Sequence, residues 1–226
     1  MGVQPRPARQ QPSLAEEQPL WLSGCQRVAG LDEAGRGAWA GPVVAAAVIL
    51  PADPDVAQRL AGVADSKQLT PAQRQRLYDL VLQEAAAWAV GVEPAASIDA
   101  IGIAAATRSA MRAAILCLPQ LPDFLLIDYV HLPALAIPQR SLVRGDSTVL
   151  SIAAASIVAK VTRDRLMAEL DRRFPGYGLE RHKGYGTAGH QTALRRLGPC
   201  PEHRLSFHPV QGAQMALFAL EPVHGR

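Results

Sequence analysis

The stretch RVAGLDEAGRGAWAGPVVAAAVIL, residues 27–50, decides the fold, because two apolar segments in it flank a glycine-rich connection. RVAGLDEA and GPVVAAAVIL each have the composition of a buried β-strand. Pro42 suits the first residue of the second strand, since proline has no amide hydrogen to give to a sheet. The pattern predicts a β-hairpin at the start of a sheet, with the acids Asp32 and Glu33 side by side at the end of its first strand.

Two longer segments after this hairpin have helical patterns. TPAQRQRLYDLVLQEAAAWA, residues 70–89, has Thr70 as an N-cap and Pro71 in the first helical position, and its apolar residues recur at helical spacing. SIDAIGIAAATRSAMRAAILCL, residues 97–118, predicts another helix, which Pro119 ends.

Two short apolar runs predict further strands. DFLLIDYV, residues 123–130, is typical of a short buried strand. Residues 141–174 predict a short strand that ends at Gly145-Asp146, followed by a long alanine-rich helix from near Ser147. This order of elements predicts an α/β protein with a sheet of mixed direction and helices packed on its faces.

Length and composition indicate one main domain, because 226 residues with 49% hydrophobic content can bury one substantial core. Residues 1–24 are rich in Pro and Gln and predict a flexible leader. The main domain is predicted over residues 25–173. Residues 174–226 are richer in Gly, His, Pro and Arg, and predict an appendage of short helices and loops.

Charge and cysteine content narrow the classes of function. The formal charge of +3 and the pI of about 9.0 are compatible with a polyanionic partner. Cys25, Cys117 and Cys200 are odd in number and far apart, which argues against a disulfide framework or a zinc ribbon and favours a reducing cytosol. The N-terminus does not have the pattern of a secretory signal, and the apolar runs are shorter than the roughly 18 residues of a membrane span, so we expect a cytoplasmic protein.

Four carboxylates are the candidate catalytic residues: Asp32, Glu33, Asp128 and Asp146. They fall at or near the C-terminal ends of predicted strands, where α/β sheets usually bind ligands. Carboxylates gathered there would repel one another unless cations neutralised them, and hard oxygen ligands select Mg²⁺ or Mn²⁺. Two such ions about 4 Å apart can activate a water and stabilise the leaving oxygen of a phosphodiester. The acids therefore predict phosphoryl hydrolysis.

A structural interpretation of these acids stays open at this point. Each aspartate could be a solvated strand end or a helix cap, and Asp146, before a predicted helix, fits that reading well. Neighbouring strand residues also point to opposite faces, so Asp32 and Glu33 share one site only if the backbone turns there. Gly35 and Gly37 make such a turn feasible.

Five motifs occur in one order along the chain: GLDEAGRGAWAGP, ADSKQLT, IDAIGI, GDSTVLSIAAASIVAKVTRDRLM and HKGYGT. Over about residues 26–210 the sequence thereby resembles bacterial ribonuclease HII. The resemblance implies an RNase H-like fold, with a five-stranded mixed sheet flanked by helices. We expect the small helical C-terminal appendage, predicted from the composition of residues 174–226, to complete the substrate groove. It also implies cleavage of RNA in RNA–DNA hybrids and incision 5′ to single ribonucleotides in duplex DNA, leaving 3′-hydroxyl and 5′-phosphate ends.

The resemblance assigns roles to individual positions. It makes the four acids the ligands of two divalent ions, Mg²⁺ or Mn²⁺. Gly35, Arg36 and Gly37 match the motif that contacts the ribonucleotide and reads its 2′-hydroxyl, which is the group that distinguishes RNA from DNA. Tyr185 matches the tyrosine at the junction of RNA and DNA. Without the resemblance, Tyr185 could equally be a loop aromatic that covers the edge of the core.

Two positions depart from the pattern of this family. Tyr129 stands where a glycine usually follows the third acid, and Arg144 stands where a lysine usually precedes the fourth. The bulk of Tyr129 can alter the strand end, and Arg144 would contact a phosphate with a different geometry. Neither change removes a carboxylate, so activity is still expected.

Further polar positions match motif residues that line or support the groove: Ser66, Lys67, Ser151, Ser156, Lys160 and Arg163. Of these, Lys67 and Ser151 are predicted to contact phosphates. A serine in an alanine-rich helix is more often a small packing residue, and Lys160 with Arg163 is more often a solvated face.

Two C-terminal features carry weaker hypotheses. The spacing of His182, His190 and His203 matches no zinc signature, so we predict no zinc site. QMALF, residues 214–218, resembles the short peptides with which bacterial repair proteins bind the sliding clamp, although Leu217 and Phe218 could instead pack a terminal helix. A monomer is expected.

Two rival functions are weaker. Another RNase H-like nuclease, such as a junction resolvase or an integrase-type protein, would share the acids but not the combination of Gly35-Arg36-Gly37 with Tyr185. A non-catalytic module that binds hybrids would need only a cationic surface, and four clustered acids would oppose phosphate binding.

Overall fold

The computed structural model describes residues 11–63 and 69–212, so Lys67 and the segment 214–218 lie outside the described residues. Its sheet has the order β3-β2-β1-β4-β5. The strands are β1 (Val28–Ala34), β2 (Val43–Ile49), β3 (Ala87–Glu93), β4 (Phe124–Asp128) and β5 (Gln139–Leu142). The first three pair antiparallel, whereas β1, β4 and β5 pair parallel. The predicted α/β fold with a mixed five-stranded sheet and the predicted hairpin are confirmed.

Helices cover both faces of the sheet. They are α1 (Glu17–Leu22), α2 (Val56–Arg59), α3 (Pro71–Glu84), α4 (Ala95–Ile101), α5 (Ile103–Leu116), α6 (Gly145–Thr148), α7 (Leu150–Arg173), α8 (Leu179–His182) and α9 (Ala188–Leu197). The long helix α7 packs with α1 and α3 in the core on one face, and α5 packs in the core on the other. Among the described residues, no helix combines the length and apolarity that crossing a membrane requires.

Helix α7 lies directly on the central strand β1. A Cβ atom at Gly30 would lie only 2.2 Å from the carbonyl carbon of Ser151, so only glycine permits this approach. The buried alanines of α7 have small side chains, so the helix also packs closely on the fully buried strand β2. The close contact sets Ser156, one turn and a half further along α7, against the end of β1 that carries Asp32.

The helix predicted over residues 70–89 begins as expected but ends early. The Thr70 Oγ1 accepts the Gln73 N–H at 3.3 Å, and the Gln73 Oε1 accepts the Thr70 N–H at 3.0 Å, forming a capping box. The helix stops at Glu84, and the chain from Ala87 forms β3 instead. Pairing with β2, from Ile49 opposite Ala87 onward, outweighs the helical preference of the three alanines there.

Two other predicted boundaries are wrong. The helix predicted over residues 97–118 is divided at Gly102, whose φ of +78° separates α4 from α5. The strand predicted to end at Gly145-Asp146 ends at Leu142, and a left-handed residue, Arg144 with φ +58°, follows. Asp146 thus lies in the short turn α6, and α7 begins at Leu150.

The N-terminal residues that the structure describes do not form the predicted leader. Leu14 and Trp21 are buried in the core beneath α7. The Ser13 carbonyl accepts the Leu150 N–H at 3.0 Å, and the buried Glu17 Oε1 accepts the Ser151 N–H at 2.8 Å. The prediction of a flexible leader is therefore wrong for residues 13–22. The predicted boundary between the main domain and the C-terminal appendage, after residue 173, stays a prediction.

Candidate active site

The candidate site begins where two parallel strands part. The last pair between β1 and β4 is Leu31 with Ile127, so Asp32 and Asp128 are the first residues beyond the paired region. Strand β1 continues to Ala34 paired with β2 alone. The site therefore lies at the C-terminal ends of the parallel strands, the edge at which the sequence predicts it.

Asp32 lies close to two of the other acids, Glu33 and Asp128. Its side chain is 5% exposed, and burial raises its pKa well above the ordinary value, with further increases from the charges of Glu33 and Asp128. Hydrogen bonds from the Ser156 side chain and from the Glu33 N–H, at 2.7 Å, act in the opposite direction. Three of the four predicted acids are thus close enough to repel one another.

Asp128 and Asp146 are joined through the turn between them. The Gly145 N–H donates to the Asp128 Oδ1 at 2.7 Å, which fixes α6 against the end of β4. Asp146 is the next residue and is 5% exposed, and the Ser147 hydroxyl donates to its Oδ1 at 3.3 Å. Asp146 is accordingly neither a strand end nor an exposed helix cap.

Two adjoining depressions contain the four acids. One is lined by Asp32, Glu33, Gly35, Arg36, Gly37, Asp128, Ser156, Lys160 and Tyr185. The other is lined by Glu33, Arg36, Asp128, Tyr129, Arg144, Asp146 and Ser147. Glu33, Arg36 and Asp128 belong to both, so Asp32 and Glu33 reach one site although they are neighbours on a strand. The β1–β4 pairing ends at Leu31, so β4 does not cover this edge of β1 at Asp32 and Glu33.

The donor set suits a hard divalent cation. Carboxylate oxygens are the ligands that Mg²⁺ and Mn²⁺ prefer, and the raised pKa of Asp32 marks a place where positive charge is lacking. Within residues 11–63 and 69–212, no three His, Cys, Asp or Glu side chains are so arranged that they could hold an ion as they stand. The fit therefore rests on donor chemistry and on the repulsion among the acids.

Two buried arginines shape the loop that follows β1. Arg163 of α7 donates to the carbonyls of Pro42 at 2.8 Å, Ala40 at 3.1 Å and Lys183 at 2.9 Å. Arg204 donates twice to the Gly41 carbonyl, at 3.0 and 2.9 Å, and once to that of Arg36, at 2.9 Å. Neither side chain is exposed, so both satisfy loop carbonyls that water cannot reach.

Arg163 has two interpretations in the sequence, a motif position that lines or supports the groove and a solvated face. The solvated face is wrong, because Arg163 is 0% exposed, whereas its bonds to the loop carbonyls agree with a supporting position. Its spacing from Ser156, Lys160 and Met167 places it on the packed face of α7, and this signal was present in the sequence. Nothing local distinguishes Arg204 from the other basic residues near the C-terminus.

The glycine-flanked motif is held close to Glu33. The Arg36 Nη1 lies 3.4 Å from the Glu33 Oε1, and the Arg36 side chain is partly exposed. Gly35 has φ +95°, and a Cβ atom there would lie 1.9 Å from the Nε of Arg163. The loop thus turns tightly over Arg163 and presents Arg36 beside the acids.

Tyr185 stands across the depression from this motif. Its ring is 38% exposed, and the guanidinium carbon of Arg163 lies 5.5 Å from the ring centroid. The Trp39 N–H donates to the Gly184 carbonyl at 2.8 Å, and Gly186 leaves room for the Trp39 ring. The tyrosine segment and the glycine-flanked loop therefore form one packed unit.

The remaining predicted contacts have different outcomes. Ser151 is 0% exposed beneath β1, so the prediction that it contacts a phosphate is not met in this structure. Lys160 lines the depression, and its Nζ lies 2.6 Å from the Asp164 Oδ1. Ser66 and Lys67 lie outside the described residues.

Tyr129 and Arg144, the two positions that depart from the family pattern, share one backbone feature. Tyr129 has φ +57° and Arg144 has φ +58°, in the left-handed region that favours glycine. Tyr129 is 67% exposed and borders the depression that contains Asp146. The structure therefore explains why glycine suits position 129: the chain reverses directly after Asp128.

The described five-stranded mixed sheet, with carboxylates where its parallel strands part, is an RNase H-like fold, the fold of a class of metal-dependent nucleases. Residues 29–210 match the family model described as Ribonuclease HII. The chain belongs to the ribonuclease HII family, whose members cleave the RNA strand of RNA–DNA hybrids.

Individual relatives agree with this assignment. Ribonuclease HII of Roseiflexus castenholzii is 58% identical over 203 residues, with 88% of this chain and 89% of that protein covered. Ribonuclease HII of Chloroflexus aurantiacus is 56% identical over 210 residues, with 91% and 98% covered. The crystal structure of ribonuclease H2 from Pyrococcus horikoshii superposes with a TM-score of 0.72 at 25% identity, covering 85% of this chain and 99% of that one.

Proposed function

We propose that the protein is an endonuclease that incises duplex DNA 5′ to an embedded single ribonucleotide and also cuts the RNA strand of longer hybrids. The products have 3′-hydroxyl and 5′-phosphate ends, and the role is removal of ribonucleotides during DNA replication and repair. One observation carries this proposal: three of the acids, the Gly35-Arg36-Gly37 loop and Tyr185 line a single depression.

The loop and the tyrosine supply recognition. Gly37 has no heavy atom within 4 Å of the place where a Cβ would stand, so its backbone is open to a sugar. Peptide groups of Gly35 and Gly37 can exchange hydrogen bonds with a 2′-hydroxyl, which a deoxyribose lacks. The exposed Tyr185 ring can stack on the next deoxynucleotide, and Arg36 can contact the adjoining phosphate.

Asp32, Glu33, Asp128 and Asp146 hold two Mg²⁺ or Mn²⁺ ions in this proposal. When bound, such ions supply activation of the attacking water and stabilisation of the leaving 3′ oxygen. The chain itself orients the ligands: Ser156 and the Glu33 N–H hold Asp32, and the Gly145 N–H holds Asp128. No side chain is required as the principal base.

The test is incubation of the full-length protein with three duplexes: one with a single ribonucleotide, one RNA–DNA hybrid and one of DNA alone. We expect incision of the first two with Mg²⁺ or Mn²⁺, with the cut and the end groups mapped by sequencing gel. Asp146→Asn abolishes cleavage and retains binding, whereas Asp79→Asn on α3 serves as the matched control. Equal cutting of the all-DNA duplex, or no cutting with either ion, contradicts the proposal.

Clamp binding through residues 214–218 stays a separate proposal, which rests on the QMALF sequence alone. A pull-down of the full-length protein with a bacterial sliding clamp tests it. We expect Leu217→Ala with Phe218→Ala to lose the clamp, and retention by that double variant would discard the proposal.

A further inference from the structure

Three histidines and a cysteine lie beneath Tyr185, outside the acidic site. The His190 Nε2 and the His203 Nε2 are 3.0 Å apart, and the His190 Nδ1 lies 3.0 Å from the Tyr185 carbonyl oxygen. On the far side, the Cys200 N–H donates to the His203 Nδ1 at 3.0 Å. His190 and His203 are at most 1% exposed, so water does not compete for these contacts.

The contacts allow only one arrangement of protons when both rings are neutral. The His203 Nδ1 accepts the Cys200 N–H, so His203 carries its proton on Nε2. That proton is donated to the His190 Nε2, which must then be an acceptor. His190 consequently carries its proton on Nδ1 and donates it to the Tyr185 carbonyl. The three bonds form a directed chain from the Cys200 amide to Tyr185.

The third histidine of the cluster, His182, contacts the same segment at Gly184. The His182 Nδ1 accepts the Gly184 N–H at 3.2 Å, and its Nε2 donates to the Tyr177 carbonyl at 2.8 Å. The His182 ring is stacked on that of His190, with centroids 4.3 Å apart. The Gly184 N–H and the Tyr185 carbonyl are thereby both bonded to imidazole nitrogens.

We propose that His190 and His203 are positioning residues, which fix the Tyr185 backbone, and hence its ring, at the substrate through this directed chain. A bound zinc ion does not account for the cluster, because the two nitrogens of His203 face different partners rather than one common point. The proposal deepens the proposed function and rests on the role that it gives to Tyr185.

The surroundings keep both rings neutral. Burial lowers the pKa of His190 and of His203, and each is lowered further by a neighbouring histidine. Further titratable groups lie near the two rings. The Cys200 thiol is 3.1 Å from the His203 Nδ1, the Tyr177 ring is 4.9 Å from that of His203, His182 is stacked on His190, and Glu202 is close to Cys200. The described neighbours thus include no carboxylate in contact with either ring to stabilise an imidazolium.

Nuclear magnetic resonance tests the directed chain of hydrogen bonds. In the ¹⁵N-labelled full-length protein at neutral pH, two-bond ¹H–¹⁵N correlations report which ring nitrogen carries the proton. We expect His203 protonated on Nε2 and His190 on Nδ1. The opposite tautomer in either ring, or an imidazolium, would overturn the proposal whatever the enzyme cleaves.

A double-mutant cycle tests the action through Tyr185. His203→Leu removes the donor, and we expect kcat/KM on the single-ribonucleotide duplex to fall about tenfold or more. His203→Gln keeps an amide donor for His190 and should restore most of this loss. In a Tyr185→Ala background, His203→Leu should lower kcat/KM by less than about a further twofold, because the ring that His203 positions is absent.

The outcomes separate the two claims. Equal losses in the wild-type and Tyr185→Ala backgrounds would show that the histidines act only on general stability, which overturns the inference. If Tyr185→Ala itself leaves incision unchanged, the proposed role of Tyr185 fails, and the inference fails with it. If no duplex is incised at all, the proposed function fails. The tautomer measurement then still decides whether the directed chain of hydrogen bonds exists.

Discussion

Gly35 and Gly37 flank Arg36 symmetrically in the sequence but have different surroundings. Gly35 has a positive φ and would place a Cβ against the Arg163 guanidinium, whereas Gly37 faces open space. We expect Gly35→Ala to lower the free energy of unfolding by about 3 kcal/mol, because left-handed strain and displacement of a buried side chain add together. Gly37→Ala should change it by less than about 0.5 kcal/mol. Urea denaturation measures both.

The activity of Gly37→Ala tests whether Gly37 contacts the substrate. If Gly37 contributes an open backbone to the substrate, Gly37→Ala should lower discrimination between the single-ribonucleotide and all-DNA duplexes while the protein stays fully folded. Unchanged discrimination would remove Gly37 from the proposed sensor.

Tyr129 carries the strain of a residue in a conformation suited to glycine. The left-handed region is unfavourable by roughly 1–2 kcal/mol for an L residue, and the exposed Tyr129 ring recovers little of this by burial. Tyr129→Gly should raise the free energy of unfolding by about 0.5–1 kcal/mol, after the entropy that glycine loses on folding. Tyr129→Phe, measured in the same urea titration, should leave it unchanged; a loss of stability in the glycine variant would contradict this account.

At the residue scale, the acids and the buried arginines differ in how far the sequence predicts them. The position of Asp32 and Asp128 at the ends of neighbouring strands is predictable from the apolar pattern, whereas the role of the four acids as metal ligands follows from the family resemblance and stays a proposal. The burial of Arg163 and Arg204 is not predictable, because arginine is almost never fully buried unless it is paired, and the loop carbonyls that pair them are contributed by distant residues.

At the scale of elements, residues 13–17 complete the N-terminus of α7. The first amides of a helix have no partner within it, and here the Ser13 carbonyl and the Glu17 carboxylate accept two of them. Glu17→Ala leaves the buried Ser151 N–H without this acceptor, so we expect a loss of about 2 kcal/mol in the free energy of unfolding.

Glu16→Ala is the matched control for this prediction. Glu16 forms an ion pair with Arg140 at the surface, and such pairs contribute little. Thermal or urea denaturation should therefore find Glu16→Ala within about 0.5 kcal/mol of the wild type. Equal effects of the two substitutions would mean that Glu17 does not cap α7.

The elements that the sequence predicts correctly are those whose signals are local. The hairpin and the start of α3 are marked by Pro42, Thr70 and Pro71. Strand β3 is missed because its alanines favour a helix and only pairing with β2 makes them a strand. The N-terminal helix α1 is missed because its Pro- and Gln-rich context hides the few apolar residues that the core requires.

For the whole molecule, the buried histidines predict how stability depends on pH. The pKa of His203 is lowered from 6.5 to about 4, so between these values the unfolded chain binds a proton that the folded protein does not. The stability that neutral His203 contributes is therefore complete above about pH 6.5 and is lost as the pH is lowered, by at most about 1.4 kcal/mol per pH unit. His203→Gln should reduce the slope between pH 6.5 and 5 in urea denaturation. An unchanged slope would mean that His203 is already protonated in the folded state.

The overall architecture is partly predictable from the chain alone. Alternating strands and helices predict a mixed sheet, whereas the number of strands follows from the family resemblance. How residues 174–212 meet the rest of the protein is not predictable, because the contacts of Arg163, Arg204 and Tyr185 cross between segments that share no sequence pattern.

The capping of α7 by the N-terminal segment has a consequence for biosynthesis. Glu17 and Ser151 are 134 residues apart, and the strand partners Leu31 and Ile127 are also distant in the chain. A ribosome that adds about 5–20 residues per second leaves β1 without its parallel neighbour, and Glu17 without its helix, for several seconds at least. Asp32 and Glu33 therefore meet Asp128 and Asp146 only after most of the sheet has been synthesised, so β1 and β2 can pair before the repelling charges from the two halves of the chain come together.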